Sequence, residues 1–499
     1  MEILNDLAVG FSVALQPQML LFCLLGSLIG TLVGVLPGLG PAAAMAILIP
    51  IATGLTPTAA IILLAAIYYG AMYGGSTTSI LLNIPGEAAS VVTCLDGYEM
   101  ARQGRAGAAL GIAAISSFVA GTLGLVGLVF LAPMLVDLAL KFGPPEYFGL
   151  MLLGLTVAVS LAGESLVKGL VATSAGLLIA SVGIDPQTGT ARYTFGSINM
   201  MAGFDVIVVV IGLFAIAEVL ANARSPGFEI LKTRIGRIMP TRRELAESSG
   251  AIGRGSIIGF LLGLVPGIAP AVVSFVSYDV EKRISRTPER FGTGVIQGVA
   301  APEGANNACT SAGMIPLFTL GLPTSASLAV LLGALMLHGL QPGPLLFEQQ
   351  KPLVWGVIAS MYVGNVMLLI LNLPLIPLWV KLLRVPYALL GPAILVICVV
   401  AAYGVRSNVF DVWVMFAFGL IGYAMRVLRF PTIPLVIALI LGDKLENALR
   451  QSLVISDGSL LVFVTRPIAA SFIALAVIAT SWSLYLRYRR SPLLRSVGE

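Results

Sequence analysis

Long apolar runs, separated by short polar or Pro/Gly breaks, occupy most of this chain. They fall near residues 7–36, 57–83, 106–136, 146–162, 166–184 and 203–222. After a polar interval they resume near 254–278, 294–336, 353–380, 387–404, 409–425, 431–442 and 459–486. A helix needs about 20 mainly apolar residues to cross a bilayer, so the pattern predicts an all-α polytopic membrane protein with about 11–13 membrane segments. The interval carries Arg224, Lys232, Arg234, Arg237, Arg242 and Arg243. Lys and Arg collect on the cytoplasmic side of membrane proteins, so this stretch is the candidate connector between two halves. The expected division is a first membrane repeat (1–222), a basic cytoplasmic connector (223–253), a second membrane repeat (254–442) and a C-terminal membrane helix with a basic tail (443–499). Arg487, Arg489, Arg490 and Arg495 place that tail in the cytoplasm. The N-terminus stays unplaced.

The halves echo each other. Gly30, Gly34, Pro37, Gly38 and Pro41 align at constant offset with Gly259, Gly263, Pro266, Gly267 and Pro270. A weaker match sets the stretch from Tyr69 to Pro85 against Glu303 to Ser325 and needs a four-residue gap. Charge gives the orientation. The loop after the second Pro-Gly element holds Lys282, Arg283, Arg286 and Arg290, whereas its counterpart, Ala52 to Thr58, has no charge. Arg102 and Arg105 mark a first-half loop whose second-half counterpart, Leu337 to Gln350, has no Lys or Arg. Equivalent loops therefore lie on opposite sides, which predicts an inverted-topology repeat. That is the signature of many secondary transporters, with substrate held at the repeat interface. The apolar stretch from Gly253 to Pro266 is too short to cross a core of about 30 Å, so residues 254–278 are expected to form a re-entrant hairpin and residues 24–50 a second one entering from the opposite face, with residues 7–23, interrupted by Gln16, Pro17 and Gln18, as a further segment.

Composition agrees with a dry surface: 58% of residues are hydrophobic and 11% charged, against about 25% charged in soluble domains. That excludes a soluble enzyme fold, a nucleic-acid-binding module and a secreted disulfide scaffold. The net charge of +5 belongs to the connecting loops and implies no nucleic-acid partner. Cys23, Cys94, Cys309 and Cys398 show no CxxC spacing, and His338 is the sole histidine, so a multi-His metal site is impossible. The start, MEILNDLAVG, lacks a basic n-region and cleavage site. Tyr278-Asp279 and the stretch Ile440 to Asp443 do not make an intramembrane aspartyl protease, since the second lacks the first Gly of GxGD. The chain is expected not to be an enzyme and to hold no cofactor.

Irregular backbone at membrane depth is tolerated only where protein buries it or it lines a wet cavity. Four stretches call for it: Pro37 to Pro41, Gly74 to Pro85, Pro266 to Pro270 and Pro302 to Ser327. They hold most of the polar side chains at that depth. Ser76, Thr77, Thr78 and Ser79 form a hydroxyl run beside Gly74 and Gly75, and Asn83 precedes Pro85. In the second half Glu303 stands beside Asn306, Asn307, Thr310 and Ser311, followed by Pro323, Thr324 and Ser325. An intramembrane carboxylate is expensive enough to suggest function. Glu303 is read either as an ion-coupling group or as a group at the interface or in a structural bond to the other repeat. No Arg or Lys occurs in the four stretches, so an anionic substrate would be neutralised by helix ends and co-bound cations.

The strings GVLPGLGP, YYGAMYGGSTTSILLNIPGE, DGYEMARQGRAGAALG and GVAAPEGANNA resemble the large membrane subunit of the tripartite tricarboxylate transporter family, over nearly the whole chain. The resemblance implies a multi-pass subunit of the bacterial inner membrane. It implies work with a small four-helix membrane subunit and a periplasmic substrate-binding protein, importing carboxylates on an ion gradient of sodium or protons. The family's motif positions fall on Pro37, Gly38, Gly40 and Pro41, on Gly74 to Thr78 with Asn83 and Pro85, and on Glu303, Asn306 and Asn307. Two departures, PEGANNA for PEAANNA and Thr324 after Pro323 in place of Gly, lie in the second-half motif and leave citrate open as the substrate. A passive channel or a scaffold subunit is the competing reading.

Overall fold

The computed structural model describes residues 2–36, 40–161, 165–185, 187–223, 238–266, 268, 270–375, 378–379 and 387–495, with the side chains of 161, 387–390, 482–484 and 486–495 left aside. Of the candidate site residues, Pro37, Gly38 and Gly267 lie outside this set, as do Arg224, Lys232, Arg234 and Arg237 of the connector.

Helices account for nearly all of it. In order they are α1 (Glu2–Ala14), α2 (Pro17–Val35), α3 (Pro41–Thr53), α4 (Pro57–Leu82), α5 (Thr93–Arg102), α6 (Ala106–Ala139), α7 (Pro144–Leu161) and α8 (Leu166–Ala180). Then come α9 (Val206–Asn222), α10 (Arg242–Gly263), α11 (Pro270–Ile284), α12 (Gln297–Leu320), α13 (Ala326–Leu337), α14 (Pro344–Gln349), α15 (Lys351–Asn372), α16 (Tyr387–Arg406), α17 (Val409–Val427), α18 (Thr432–Ile455), α19 (Val462–Thr465) and α20 (Pro467–Arg495). The protein is an all-α polytopic membrane protein. Among the described residues α2, α4, α6, α15 and α17 are long and apolar enough to cross a membrane, and six shorter apolar helices accompany them. Helix starts follow the sequence. Pro17, Pro41 and Pro57 open α2, α3 and α4, where a missing N–H costs nothing. At α10 the Thr241 hydroxyl accepts from Glu244 N–H at 3.2 Å while the Glu244 carboxylate accepts from Thr241 N–H at 2.7 Å, a reciprocal cap. The described end of the expected connector is thus already helical from Arg242.

By contacts the chain divides into two compact units. One comprises residues 1–137, 205–264 and 269–424; the other comprises 138–204, 265–268 and 425–499. In the second unit α18 lies so close to α8 that a Cβ on Gly176 would stand 2.3 Å from the Leu435 carbonyl oxygen. A two-stranded hairpin, Gly183–Ile184 with Ala191–Arg192, was not anticipated from the sequence, which reads residues 166–184 as one apolar run. Its ends are held by Asp185, Arg192, Glu446 and Arg450, with Arg450–Asp185 at 2.9 Å and Arg192–Glu446 at 2.8 Å. The Gln187 N–H, then Arg450, keeps the Asp185 carboxyl well below the usual carboxylate range.

The first unit is built on two helix pairs. A Cβ on Gly30 would stand 2.3 Å from the Ile67 carbonyl oxygen and one on Gly34 2.3 Å from that of Ala71, so α2 and α4 touch backbone to backbone. The other pair repeats this: Gly255 and Gly259 would meet the carbonyl oxygens of Ala301 and Ala305 at 2.4 and 2.3 Å, joining α10 to α12. Small residues four apart permit such approach between membrane helices. In each pair the partner numbers rise together, so the helices run parallel. Both α4 and α12 end on a left-handed cap, Asn83 at φ 58° and Gly321 at φ 67°. Pro85 and Pro323 follow two positions later. In this register Ile67 answers Ala305, and Tyr69 therefore answers Asn307. The sequence match sets Tyr69 against Glu303, one helical turn away, because it anchors on Gly70 and Gly304, which do not occupy equivalent places: a Cβ on Gly70 would meet Ser27 O of α2 at 2.7 Å, and one on Gly304 would first meet Ser116 Oγ of α6 at 3.0 Å. The packing register needs no gap.

Adding one methyl group at these contacts should be costly. Gly30→Ala and Gly259→Ala are each expected to lower the melting temperature of the purified protein, overpacking costing about 1–3 kcal/mol. Gly40→Ala, where a Cβ would meet nothing within 4 Å, is expected to leave it unchanged. Equal melting temperatures for all three would refute the close packing of the pairs.

Candidate functional site

The two pairs meet through a buried polar seam. The Ser76 hydroxyl of α4 donates to Glu303 Oε2 of α12 at 2.7 Å, and Thr93 of α5 donates to the other carboxylate oxygen. Further along, Tyr69 Oη donates to Ser311 Oγ at 2.9 Å, and Tyr68 Oη lies 3.4 Å from Ser325 Oγ. As α4 advances from Tyr69 to Ser76 its partners on α12 recede from Ser311 to Glu303, so these two helices run antiparallel. Tyr73 donates to Asn365 of α15. A cavity of about 10 Å³, lined by residues including Tyr73, Ser76, Thr77, Ser117 and Asn372, is near the smallest that holds one water.

A second carboxylate, Glu87, is buried in the same seam. Its Oε2 accepts from Ala89 N–H at 2.7 Å and its Oε1 from the Asn306 side-chain amide at 3.3 Å. Among the described residues, the hydrogen-bond partners of Glu87 and Glu303 are hydroxyls and amides, never Lys or Arg. The side-chain carbonyl oxygens of Asn306 and Asn307 are buried with no donor. Hard oxygen atoms with no basic partner suit a proton or a small hard cation. They do not by themselves suit an anion.

Helix α5 joins the seam to the loop before α12. One turn beyond Thr93, buried Asp96 accepts through Oδ1 from the N–H groups of Gly292 (2.9 Å), Gly294 (2.8 Å) and Val295 (2.8 Å), and through Oδ2 from Tyr278 Oη (2.8 Å). Gly292 and Gly294 adopt φ of +90° and +97°. That left-handed backbone turns successive N–H groups toward one point.

The sequence-derived residues separate into those the seam gathers and those it does not. Ser76, Thr77, Glu303, Asn306, Asn307 and Ser325 are in it. Gly74 and Gly75 let other groups close on α4: a Cβ would stand 2.4 Å from Thr31 O at the first and 2.7 Å from Glu87 Cγ at the second. Thr78 bonds back to Gly75 O, and Thr310 to Asn306 O. Gly40 and Pro41 open α3, and Pro270 opens α11. Pro85, Pro266, Pro323 and Thr324 lie between helices, and Ser325 caps α13 by accepting from Leu328 N–H at 3.3 Å. Two expectations need correction. Residues 74–82 and 302–320 are regular helix, not broken backbone; Ser274, Ser277 and Ser116 support the carbonyls around Pro302 from outside. Asn83 is exposed as the cap of α4, where Asn tolerates the left-handed conformation, and does not join the seam.

A family model described as "Tripartite tricarboxylate transporter TctA family" matches residues 20–437. The chain belongs to the tripartite tricarboxylate transporter TctA family. It is similar to an uncharacterised 52.8 kDa protein in the TAR-I ttuC' 3' region of Agrobacterium vitis, 45% identical over 478 residues, 96% of this chain and 95% of the relative. An uncharacterised protein in the TAR-II ttuC' 3' region of the same organism is 45% identical over 226 residues, 45% of this chain and 93% of the relative. No solved structure matches the chain. The family is one of transporters whose name denotes a tripartite system, so the seam of this TctA-family protein belongs to a membrane transport component. Sequence reasoning about that component missed Glu87, Thr93 and the three tyrosines. Glu87 had a signal, a lone carboxylate after Pro85-Gly86 in an otherwise apolar stretch, of the same kind that drew attention to Glu303.

Proposed function

We propose that this TctA-family chain is the carrier subunit of an ion-gradient-driven importer for a carboxylate, a tricarboxylate or related organic anion, in the bacterial inner membrane. A periplasmic binding protein delivers the substrate and a small four-helix subunit completes the complex. The observation that carries the reading is the seam: two buried carboxylates and two donorless amide oxygens, without a basic residue, where the two helix pairs meet. Such a site holds monovalent cations, sodium ions or protons, and the cations supply the charge that an anionic substrate lacks in the protein. The candidate residues at the two Pro-Gly turns and along α4 and α12 are read as the substrate and ion ligands around it.

The antiparallel crossing of α4 and α12 supports an inverted-topology repeat, residues 1–222 against 254–442 around a basic cytoplasmic connector. The 13-residue α3 spans about 20 Å at 1.5 Å per residue, short of a core of about 30 Å. That supports α2–α3, and by repetition α10–α11, as re-entrant hairpins. On this reading Thr56 faces the periplasm, and Arg286 and the C-terminus face the cytoplasm. Single cysteines at 56 and 286, in a background without the four native ones, are expected to react with an impermeant thiol reagent from opposite faces. Labelling from one face would end the inverted reading.

Transport is tested in proteoliposomes with labelled citrate and related carboxylates. The three-component system should accumulate one of them only under an inward sodium or proton gradient, and the chain alone should show little uptake at micromolar substrate. Counterflow of labelled substrate should proceed without an ion leak. Leak without counterflow would make the chain a channel, and full activity of the chain alone would remove the need for partners.

A further inference from the structure

We propose that Glu87 is a second ion-binding carboxylate, so that the seam takes two monovalent cations, one at Glu303 and one at Glu87, with Asn306 bridging them. The proposal rests on the ion-coupled reading above and adds a stoichiometry to it.

Three observations carry it. The first is charge. Removing a carboxylate from water is costly even after relaxation, and here two are buried in one seam, Glu87 bonded to Asn306, which stands one turn along α12 from Glu303. The titratable groups facing them are Tyr68, Tyr73 and Cys94, none of them basic. On neighbouring α11, Glu281 is committed to Arg254 at 2.7 and 2.8 Å. One cation therefore leaves one carboxylate uncompensated.

The second is the comparison between halves. Glu87 caps the short turn Ala88–Val91, and a cap needs only a small acceptor, for which Ser or Thr serves. At the corresponding place after Pro323 the second half uses Ser325. The carboxylate at 87 thus exceeds what capping requires.

The third is Asn306. Its amide N–H group is spent on Glu87 at 3.3 Å while its own carbonyl oxygen is buried without a donor. A cation beside Glu87, or the proton of a neutral carboxyl, is what that oxygen lacks. Asn306 also stands one turn along α12 from Glu303, within the same stretch of helix.

The test is a count of cations on the purified full-length chain in lipid nanodiscs. Bound ²²Na⁺ is measured at equilibrium. Difference infrared spectra between acidic and alkaline buffer, with the spectrum of the Glu87→Gln/Glu303→Gln double variant subtracted to remove the other Asp and Glu residues, count the seam carboxyl groups that lose a proton. If sodium is the ion, two ²²Na⁺ should bind per chain; if protons, no sodium should bind and two carboxyl bands should titrate; one of each also totals two. Glu87→Gln should lower the total to one, and so should Glu303→Gln. Glu87→Ser, which copies Ser325, should also lose one equivalent while keeping the cap and the melting temperature. If the Glu87 variants keep the wild-type total while Glu303→Gln loses one, Glu87 is only a cap and the ion site at Glu303 stands. If no variant changes the total, the ion-coupled reading of the seam falls with it.

Discussion

Asp96→Ala is expected to leave little folded protein in the membrane. The side chain satisfies three backbone N–H groups and the Tyr278 hydroxyl at once. Removing it strands the buried Gly294 N–H and Tyr278 hydroxyl and unties the Gly292 and Val295 N–H groups nearer the surface. Each buried orphan costs about 1–3 kcal/mol, and losing the anchor of the loop as well takes a large part of the stability of a typical domain, about 5–15 kcal/mol. The carboxylate is held in tight packing, since a Cβ on Gly298 would lie 2.1 Å from Asp96 Oδ2. Asp96→Asn keeps the shape but converts one acceptor into a donor facing donors, so an intermediate loss is expected. The control is Asp279→Ala. Asp279 pairs with Arg283 on the same exposed turn at 2.8 Å, and such pairs contribute about 0–1 kcal/mol. Monodispersity after detergent extraction is the measurement. Equal recovery of Asp96→Ala and Asp279→Ala would show that the loop from Gly292 to Val295 is not anchored by this carboxylate.

Asp96 also marks where the sequence stops being legible. Apolar runs announce membrane helices because lipid selects them one segment at a time, and the glycine stripes on α2 and α10 are visible because close packing repeats every four residues. Those signals are local. Asp96 lies within DGYEMARQGR, beside Arg102 and Arg105, and reads as part of a solvated loop; its burial depends on glycines almost two hundred positions away. The same holds at Pro302. A proline in an apolar run predicts a break, yet α12 passes through it because serines on α6 and α11 hold the nearby carbonyls. Asn83 shows the reverse case. A polar residue before Pro85 looks like a ligand, and the sequence does not show that it also ends α4 in the left-handed conformation, at φ of 58°. Within the site, Ser76, Thr77, Glu303 and Asn306 were legible because polar groups are rare in membrane sequence. Their pairings were not, since they are set by an antiparallel crossing that no single stretch encodes.

On the proposed reading, the largest functional effect belongs to Glu303→Gln. Glutamine keeps the volume and an acceptor for Ser76 or Thr93, so membrane abundance and melting temperature should hold. What it lacks is the charge. Leaving a buried ion without its counter-charge costs about 3–5 kcal/mol, so ion affinity at this position should fall roughly 100- to 4,000-fold. Gradient-driven accumulation of carboxylate by the reconstituted complex should then fall to background. Exchange of substrate across the membrane at equal ion concentrations does not need the gradient and should fall only as far as substrate binding depends on the lost cation. Ser76→Ala removes one hydrogen bond to the carboxylate but not the charge, a loss of about 1.5–3 kcal/mol. Because that donor stabilises the charged, ion-free carboxylate, its loss should lower the ion concentration for half-maximal uptake, by up to roughly 10- to 150-fold, without lowering uptake at saturating ion. That difference separates a charge that carries coupling from a hydrogen bond that positions it. If Glu303→Gln still accumulates substrate against a gradient with unchanged ion dependence, the carboxylate is a structural tie between α4, α5 and α12, and coupling must reside elsewhere in the chain.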